Sequence, residues 1–270
     1  MNLKNKVVLI TGSSQGIGKE TALLFAKQGA SVVVTYNKNK KLGEDVFKEC
    51  KKIKDALLVN LDVTNEESIK NCVEKTIDKF GAIDILINNA GVLFNKDFVE
   101  QSASEIDLQI DTNIKGLIKM TKEVLPYMQG QTYAGIQDSA NVFEKSKTVG
   151  MIINIASAAG KNAYAGLTTY CATKFAVRGF TQALSKELPS GIKIYSVNPG
   201  LTATKMTNYQ GVNPRKVAEV ILKAAEEKFN VENGGDVDVW KYVIEQKPSD
   251  AYYGVKRRVK EMFGKGEKKD

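Results

Sequence analysis

The sequence contains no histidine among its 270 residues. Histidine is the side chain most often used for proton transfer near neutral pH, and it is a common zinc ligand. Only three cysteines are present, Cys50, Cys72 and Cys171, and they form no CxxC pair. The sequence therefore predicts no zinc site and no disulfide framework, and it favours a reducing, cytoplasmic compartment. We expect no metal site, although this argument does not exclude carboxylates that bind Mg²⁺ or Ca²⁺.

Long apolar runs are also missing. None approaches the ~18 residues of a membrane-spanning helix, and the amino-terminal run is too short for a signal peptide. The net charge is +8, but residues 256–270, with seven Lys or Arg and three Asp or Glu, supply +4 of it. A Lys-rich end is more often solvated than bound to nucleic acid. We therefore expect neither a membrane nor a nucleic-acid partner.

Short apolar runs alternate with segments of helical periodicity along the whole chain. Most of the runs are continuously apolar, which is typical of parallel strands covered on both faces. This rhythm predicts an α/β fold: a Rossmann-like, doubly wound parallel sheet in three α/β/α layers. The predicted strands are 6–11, 31–36, 56–61, 83–88, 151–156, 192–197 and 236–243, and the predicted helices lie near 17–28, 39–52, 65–80, 103–128, 168–188 and 213–229.

No linker divides this pattern, so residues 1–245 are predicted to form one domain, followed by a basic extension, 246–270. One segment, 129–149, is too long and too polar for a helix-to-strand connection, which usually takes ~2–6 residues. We interpret it as a surface insertion on the sheet edge away from a ligand crevice. Its composition is typical of a flexible loop, and a role in partner binding is the alternative.

A glycine-rich turn, TGSSQGIG at 11–18, follows the first predicted strand and opens the first helix. Gly12 permits the tight turn, Gly16 lets the backbone approach a phosphate, and Gly18 allows close helix–strand packing. The helix amino terminus would then face a pyrophosphate. The alternative is a plain loop with glycines at positive φ. The cofactor-binding residues predicted in this turn are Gly12, Ser14, Gln15, Gly16, Ile17 and Gly18.

The end of the second strand bears on the choice between NAD and NADP. A carboxylate there would bind the ribose 2′-hydroxyl and repel a 2′-phosphate, but no acid lies between Thr35 and Gly43. Tyr36, Asn37 and Lys38 stand at this position, with further lysines just beyond. Positive charge without a carboxylate favours NADP(H) over NAD(H). The alternative is that these lysines merely begin a helix.

Two further strand ends carry candidate cofactor contacts. Asp62 and Val63 follow the third strand, where the carboxylate can accept a hydrogen bond from an adenine amino group. Alternatively, Asp62 or Thr64 caps the next helix. The fourth strand ends in INNAGV, and its place at a carboxyl end favours a ligand crevice over a plain polar turn. The candidates in that motif are Asn89, Ala90 and Gly91.

Tyr170 and Lys174 lie four residues apart in TTYCATK and so share one helix face. A phenol has a pKa of about 10, and a nearby ammonium lowers it by stabilising the phenolate. Ser157, at the end of the fifth strand, can offer a hydroxyl to the same substrate oxygen. A Tyr-x-x-x-Lys pair alone is usually a solvated face. With Ser157 and the glycine-rich turn in register, it indicates a proton-transfer centre.

These motifs together resemble the short-chain dehydrogenase/reductase family, and in particular its 3-oxoacyl-[acyl-carrier-protein] reductase-like members. The matching segments are TGSSQGIG, NNAG, DTNIKG, INIASAAG, YCATK and NPG, which span roughly residues 5–206. The resemblance implies a catalytic tetrad of Asn113, Ser157, Tyr170 and Lys174. In it Tyr170 is the general acid or base, Lys174 depresses its pKa and holds the nicotinamide ribose, Ser157 positions the carbonyl, and Asn113 anchors a relay water. It further implies cofactor contacts from Pro199, Gly200, Thr202 and Thr204, the last to the nicotinamide carboxamide.

The resulting functional prediction is an NAD(P)(H)-dependent oxidoreductase that transfers hydride between nicotinamide C4 and a carbonyl or secondary alcohol. Within this class, 3-oxoacyl thioesters and small ketones or sugars are both open as small-molecule substrates. The alternative is a non-catalytic NADP(H)-binding sensor or assembly module on the same fold. The resemblance also implies a homo-oligomer, a dimer or a tetramer. However, the carboxyl-terminal segment lacks the GxxxxVDGG-like close of the family's tetrameric reductases.

Overall fold

Seven strands form one parallel sheet within the part of the chain that the structure describes. That structure is a computed structural model, and it describes residues 1–133 and 149–243, with the backbone alone for 129–133. The strands are β1 Val7–Ile10, β2 Ser31–Tyr36, β3 Ala56–Asn60, β4 Ile85–Asn88, β5 Gly150–Ile155, β6 Ile192–Asn198 and β7 Asp236–Asp238. Their order across the sheet is β3-β2-β1-β4-β5-β6-β7, and every neighbouring pair is parallel.

Helices connect the strands and cover both faces of the sheet. Four of them begin at a side-chain cap: Asn39, Asn65, Ser102 and Asn213 each accept a hydrogen bond from a backbone N–H of the first turn. The helices are α1 Gly16–Lys27, α2 Lys40–Lys51, α3 Glu66–Phe80, α4 Ala103–Ile110, α5 Leu117–Tyr133, α6 Thr168–Leu184 and α7 Pro214–Ala225.

Two apolar cores lie on opposite faces of the sheet, because successive strand side chains point to opposite sides. Val8 of β1 packs in one core with Phe25 of α1 and Ile221 of α7. Leu9, the next residue, packs in the other core with Met120 of α5. Burying each large aliphatic side chain contributes roughly 1.5–3 kcal/mol. The three-layer, doubly wound prediction is confirmed.

The strand order switches sides at β1, which pairs with β2 on one side and with β4 on the other. Ligands of open α/β sheets bind beyond the carboxyl ends of the strands at such a switch point. The glycine-rich turn follows β1 and INNAGV follows β4, so both motifs lie at this position. The topology thus brings the predicted binding motifs to one edge of the sheet.

The predicted helix 103–128 is wrong in one respect. A π-helical turn, Asp111–Gly116, separates α4 from α5, and the second helix continues to Tyr133. A Cβ at Gly116 would lie 2.8 Å from the Val63 carbonyl oxygen, so this turn packs against the end of the third strand. Single π turns within helices occur frequently at functional sites, and this one carries Asn113.

Three other predicted elements are shorter than the sequence pattern indicates. The predicted strand 236–243 pairs with β6 only as far as Asp238, and residues 239–241 form a 3₁₀ turn. The predicted helix 168–188 ends at Leu184, four residues before its predicted end. The predicted helix 213–229 ends at Ala225, and Glu227 has a left-handed φ of 59°.

Parts of the sequence-based organisation fall beyond the described residues. Residues 134–148, the bulk of the predicted insertion 129–149, and the basic extension 246–270 lie outside them, so both remain predictions. The domain range 1–245 is likewise a prediction at its last residues. Within 1–133 and 149–243, no helix has the length and apolarity to cross a membrane.

Candidate active site

The glycine-rich turn is held in place by hydroxyl and amide side chains. Gly12, at φ 65°, donates its N–H to Thr35 Oγ1 at 2.9 Å. Asn89 Nδ2 donates to the carbonyl oxygens of Thr11 and Gly12 at 2.9 and 3.0 Å. Thr11 Oγ1 in turn accepts from the backbone N–H groups of Asn89 and Ala90, at 2.9 Å each. Asn89 therefore positions the turn through its side chain. Sequence reasoning assigned no role to Thr11 or Thr35, although both are polar residues at strand ends.

The three glycines of the turn are closely surrounded by other atoms, so a Cβ at any of them would crowd a neighbour. A Cβ at Gly18 would lie 2.5 Å from the Gly12 carbonyl oxygen, and one at Gly12 would lie 3.1 Å from Ala90 Cα. A Cβ at Gly16 would lie 3.2 Å from Thr204 Cγ2. The structure thus brings Thr204, nearly 190 residues away in sequence, against the turn, as expected if both contact one ligand.

The amino terminus of α1 is suited to an anion. Gln15 at the N-cap makes no side-chain capping bond, in contrast to the four capped helices, and no acid lies in the first turn. Backbone N–H groups at such a terminus, together with the helix dipole, favour a phosphate. This open cradle of glycine backbone fits the pyrophosphate of a dinucleotide. Around it Ser14 is half-buried, Gln15 is exposed, and Ile17 packs against the core.

The second strand ends beside the third, because Tyr36 pairs with Asn60 in the sheet. Asn37 and Lys38 are exposed, and Tyr36 lies against Gly43 of α2. Burial opposes ionisation of Asp62, but hydrogen bonds from Thr64 and Asn37 and the charge of Lys38 bring the pKa of that carboxyl below its ordinary value. Asp62 is therefore a carboxylate at neutral pH.

The suggestion that Asp62 or Thr64 caps the following helix is wrong. The cap of α3 is Asn65, which accepts from the Ser68 N–H at 2.8 Å. Asp62 instead accepts from both the N–H and the hydroxyl of Thr64, at 2.9 and 2.7 Å. The Val63 side chain packs in the core, which excludes that side chain as a ligand contact.

The Asn113 side chain links three segments of the chain by hydrogen bonds, which we call the Asn113 bracket. Its Oδ1 accepts from the Val92 N–H at 2.8 Å, and its Nδ2 donates to the Val92 carbonyl at 2.9 Å. The same Nδ2 donates to Thr173 Oγ1 at 3.1 Å, and Thr173 donates to the Tyr170 carbonyl at 2.8 Å. A Cβ at Gly91 would lie 3.2 Å from Asn113 Oδ1. The π turn is thereby tied both to the end of the fourth strand and to the helix that carries the Tyr–Lys pair.

Tyr170 and Lys174 face inward from α6, with exposed fractions of 9% and 5%. Lys174 Nζ donates to the Ile155 carbonyl at 2.9 Å and lies 5.5 Å from the centroid of the Tyr170 ring. The Ser157 hydroxyl lies close enough to the Tyr170 phenol to lower its pKa. The predicted serine, tyrosine and lysine are therefore brought together, and the solvated-face alternative is wrong for this pair.

Burial dominates the electrostatics of the pair. Desolvation raises the pKa of Tyr170 to about 12, against a smaller lowering by the Ser157 hydroxyl. Desolvation also lowers the pKa of Lys174 to about 8. The net lowering of the Tyr170 pKa by Lys174 that the sequence suggested is therefore wrong for the free protein, because removal of the phenolate from water is the largest effect on this pKa and raises it. At neutral pH the phenol is protonated.

The segment after the sixth strand folds back on itself. Pro199 accepts from the Ala158 N–H at 2.8 Å, which ties it to the turn after Ser157. Thr202 is buried, and its hydroxyl donates to the Gly200 carbonyl at 3.0 Å. Thr202 also pairs with Val212 across the base of the segment. The predicted contacts Pro199, Gly200, Thr202 and Thr204 thus belong to one compact loop.

Other chemistry is scarce in the part of the chain that can be described. Within it, no group of three or more His, Cys, Asp or Glu side chains could hold a metal ion. Cys50, Cys72 and Cys171 are buried free thiols. Burial raises the pKa of Cys50 and of Cys72 to about 12, so neither is a thiolate at neutral pH.

An open glycine turn at the switch point, with a buried Tyr–Lys pair nearby, defines a dinucleotide-dependent oxidoreductase. The family model described as short chain dehydrogenase matches residues 6–214. The 3-oxoacyl-[acyl-carrier-protein] reductase FabG of Thermotoga maritima is 35% identical over 226 residues, 82% of this chain and 83% of that protein. The NADP-dependent 3-hydroxy acid dehydrogenase of Schizosaccharomyces pombe is 34% identical over 255 residues, 85% and 90% of the two chains.

A solved structure agrees with these relatives. The 3-ketoacyl-(acyl-carrier-protein) reductase from Brucella melitensis complexed with NADH has a TM-score of 0.78 and 29% identity, and the match covers 88% of this chain and 97% of that one. The chain belongs to the short chain dehydrogenase family. It is an oxidoreductase of that family, acting between CH–OH and C=O groups with NAD(P).

Replacing Thr173 with valine tests the Asn113 bracket. The substitution leaves one buried Asn113 N–H without its partner, so we expect it to lower the free energy of unfolding by about 1–3 kcal/mol. Thr76→Val is the matched control, since Thr76 is also fully buried and bonds only to a carbonyl of its own helix, that of Cys72. Urea unfolding of both variants measures the difference. Equal losses in the two variants would contradict the bracket.

Proposed function

We propose that this chain is an NADP(H)-dependent carbonyl reductase or alcohol dehydrogenase in which Tyr170 is the general acid and base. The observation that carries the proposal is that Tyr170 and Lys174 are both buried, with the Lys174 ammonium 5.5 Å from the centroid of the Tyr170 ring and Ser157 close to the phenol. A merely structural tyrosine has no need of a desolvated lysine beside it, because burying an ammonium is costly. The non-catalytic alternative leaves that cost unexplained.

Tyr170 donates its phenolic proton to the carbonyl oxygen as the alcohol forms, and takes it back in the reverse direction. The Ser157 hydroxyl donates a hydrogen bond to the same oxygen and so stabilises the charge that develops there. Lys174, with a pKa of about 8, is mostly protonated at pH 7 and stabilises the phenolate that Tyr170 leaves behind. A protonated phenol at neutral pH suits the reduction direction.

Asn113 is a positioning residue in this scheme. Both N–H groups and the oxygen of its side-chain amide have partners on Val92 and Thr173. The relay water that the family resemblance implies would therefore be held by the backbone of the π turn. Asn113 contributes by fixing that turn against the helix of Tyr170 and Lys174.

The residues proposed to hold the dinucleotide follow the sheet edge. When bound, its nicotinamide supplies or takes up the hydride. The uncapped amino terminus of α1 would hold the pyrophosphate, and Asp62 would accept from the adenine amino group. Lys174 would hold the nicotinamide ribose, and Thr204 the carboxamide. The remaining proposed contacts are Gly12, Ser14, Gln15, Gly16, Ile17, Gly18, Tyr36, Asn37, Lys38, Val63, Asn89, Ala90, Gly91, Pro199, Gly200 and Thr202.

NADP(H) is the cofactor that the charges at the end of β2 favour. Lys40 and Lys41 form ion pairs with Glu44 and Asp45 one helical turn away, at 3.7 and 3.3 Å. Lys38 is the lysine left to meet a 2′-phosphate, since it precedes the helix and is exposed. The Schizosaccharomyces pombe relative is NADP-dependent by name, which supports the same choice.

The names of two relatives suggest the substrate class. One reduces 3-oxoacyl groups on acyl carrier protein and the other oxidises 3-hydroxy acids, so both handle an oxygen at the third carbon of an acyl chain. We propose a small 3-oxo or 3-hydroxy acyl compound as the substrate of this chain.

We also propose a homo-oligomer, either a dimer or a tetramer, because apolar side chains are exposed on three helices. These are Leu108 of α4, Ile118 of α5 and Phe175 of α6.

Tyr170→Phe tests the proton-transfer role. We expect the variant to lose nearly all NADPH oxidation, by about 10²-fold or more, because general acid catalysis contributes 10²–10⁴-fold. The assay is NADPH oxidation across 3-oxoacyl thioesters, 3-oxo acids, diketones, aldoses and quinones. Binding of NADPH, measured by fluorescence, should be retained, since the phenyl ring fills the same space. A variant that kept a third of the wild-type rate would disprove the role. Tyr164→Phe, at an exposed tyrosine, is the control.

Lys38→Ala tests the cofactor preference. Removing a charge-assisted bond to the 2′-phosphate should raise KM for NADPH about tenfold and leave KM for NADH unchanged. Lys40→Ala removes the same charge nearby, but from a lysine that pairs with Glu44, so its effect should be under about twofold. Steady-state kinetics with both cofactors measure the ratio. A wild type that prefers NADH, or equal effects of the two substitutions, would contradict the proposal.

A further inference from the structure

A partly buried polar cluster surrounds the short edge strand β7. Asp236 begins this strand and Asp238 ends it, and the side chains of these two aspartates are 17% and 3% exposed. Around them lie Arg178 of α6, Lys161 after the fifth strand, and Asn198 at the end of β6. No role in cofactor binding or proton transfer has been assigned to any of these residues.

Arg178 makes the most extensive contacts in the cluster. Its Nε and Nη2 donate to the Asp236 carboxylate at 3.0 and 2.6 Å, and its Nη1 donates to the Gly160 carbonyl at 2.7 Å. The planar guanidinium serves both partners at once because its donors form a fixed fork. Arg178 also stands one helical turn after Lys174, on the same face of α6.

The Gly160 carbonyl belongs to the turn that follows Ser157. The 3₁₀ turn Ala158–Gly160 begins at Ser157, whose hydroxyl accepts from the Ala159 N–H at 3.1 Å. A Cβ at Gly160 would lie 2.6 Å from the Lys174 carbonyl oxygen, so the turn lies directly against α6. Arg178 therefore joins the backbone that carries Ser157 to the helix that carries Tyr170.

A third segment is tied to the same two carboxylates. Asn198 Nδ2 donates to Asp236 and Asp238, at 3.1 and 3.0 Å, and Pro199 follows it directly. Lys161 Nζ bonds to Asp238 at 2.7 Å and to Asp236 at 3.2 Å. Three segments that carry proposed site residues thus meet on the carboxylates of one strand.

We propose that Arg178, clamped between Asp236 and the Gly160 carbonyl, is a positioning residue that fixes the Ser157 hydroxyl relative to Tyr170 and Lys174. The effect of the clamp on catalysis rests on the proposed function, whereas its effect on the position of the turn does not. Removing five charged or amide side chains largely from water at a three-residue strand is a costly way to hold an edge strand alone, because apolar packing stabilises an edge at least as well. Holding the Ser157 turn at a fixed place on α6 requires directed bonds.

Two substitutions at Arg178 test the clamp. Arg178→Met removes the bonds to both partners. Arg178→Lys keeps the charge near Asp236, so it preserves folding, but a single ammonium cannot reproduce the fork to Gly160. Arg215→Met is the matched control: Arg215 is 45% exposed and pairs with Glu20 and Glu219 on the surface. The readouts are hydrogen–deuterium exchange of a peptide covering 157–163, and separate kcat and KM values.

We expect both Arg178 variants to exchange the amides of the turn about tenfold faster or more, with a peptide covering 7–27 unchanged. We also expect kcat to fall about 10- to 100-fold, since a small misplacement of reacting groups has that effect, while KM for NADPH stays within about twofold. Unchanged exchange in the turn would overturn the clamp. So would faster exchange with a wild-type kcat, because the turn would then have no bearing on the reaction.

The two proposals fail in distinguishable ways. A wild type that turns over no carbonyl compound refutes the proposed function, and the exchange of the Ser157 turn then decides the clamp alone. A wild type with normal turnover and Arg178 variants that match it in kcat refutes the clamp and leaves the proposed function standing.

Discussion

Burial of one ammonium group, that of Lys174, is the constraint on which the site depends. Its Nζ is held by the Ile155 carbonyl at 2.9 Å and has been removed from water together with the neighbouring phenol. A buried charge is tolerated only where protein groups hold it in place, because no water is present to solvate it if those groups move away. Gly91 lets backbone approach the π turn, because a Cβ there would crowd Asn113 Oδ1. Gly160 lets backbone approach α6, because a Cβ there would crowd the Lys174 carbonyl.

The rest of the site consists of neutral hydrogen bonds that hold backbone segments in place. Thr35 and Asn89 fix the glycine turn, and Thr173 fixes Asn113. The charged bonds between Arg178 and Asp236 lie one helical turn beyond Lys174 on the same face of α6. The residues proposed to do chemistry are therefore few, and most of the buried polar side chains near them set the positions of loops. Under the proposed function, this division explains how a chain without histidine presents a proton donor in a defined place.

Much of the fold could be predicted from the sequence, because continuously apolar runs and helical periodicity are local signals. The β1–α1 turn and the Tyr170–Lys174 spacing are local as well. What could not be predicted depends on residues distant in the chain: the Asn113–Thr173 bond spans 60 positions and the Arg178–Asp236 bond spans 58. The raised pKa of Tyr170 also follows from packing, which spacing alone cannot express. The π turn has no residue signature apart from Gly116.

The most direct measurement is the pKa of Lys174 itself. Protein labelled biosynthetically with ¹³Cε-lysine can be titrated by NMR, and Lys174→Met identifies the signal. We expect one lysine resonance to titrate near pH 8, the value that burial gives Lys174, and to be missing from the variant. Exposed lysines titrate near 10.4. If every lysine signal titrated above pH 10, the ammonium would be solvated, and the buried Tyr170–Lys174 pair would be contradicted.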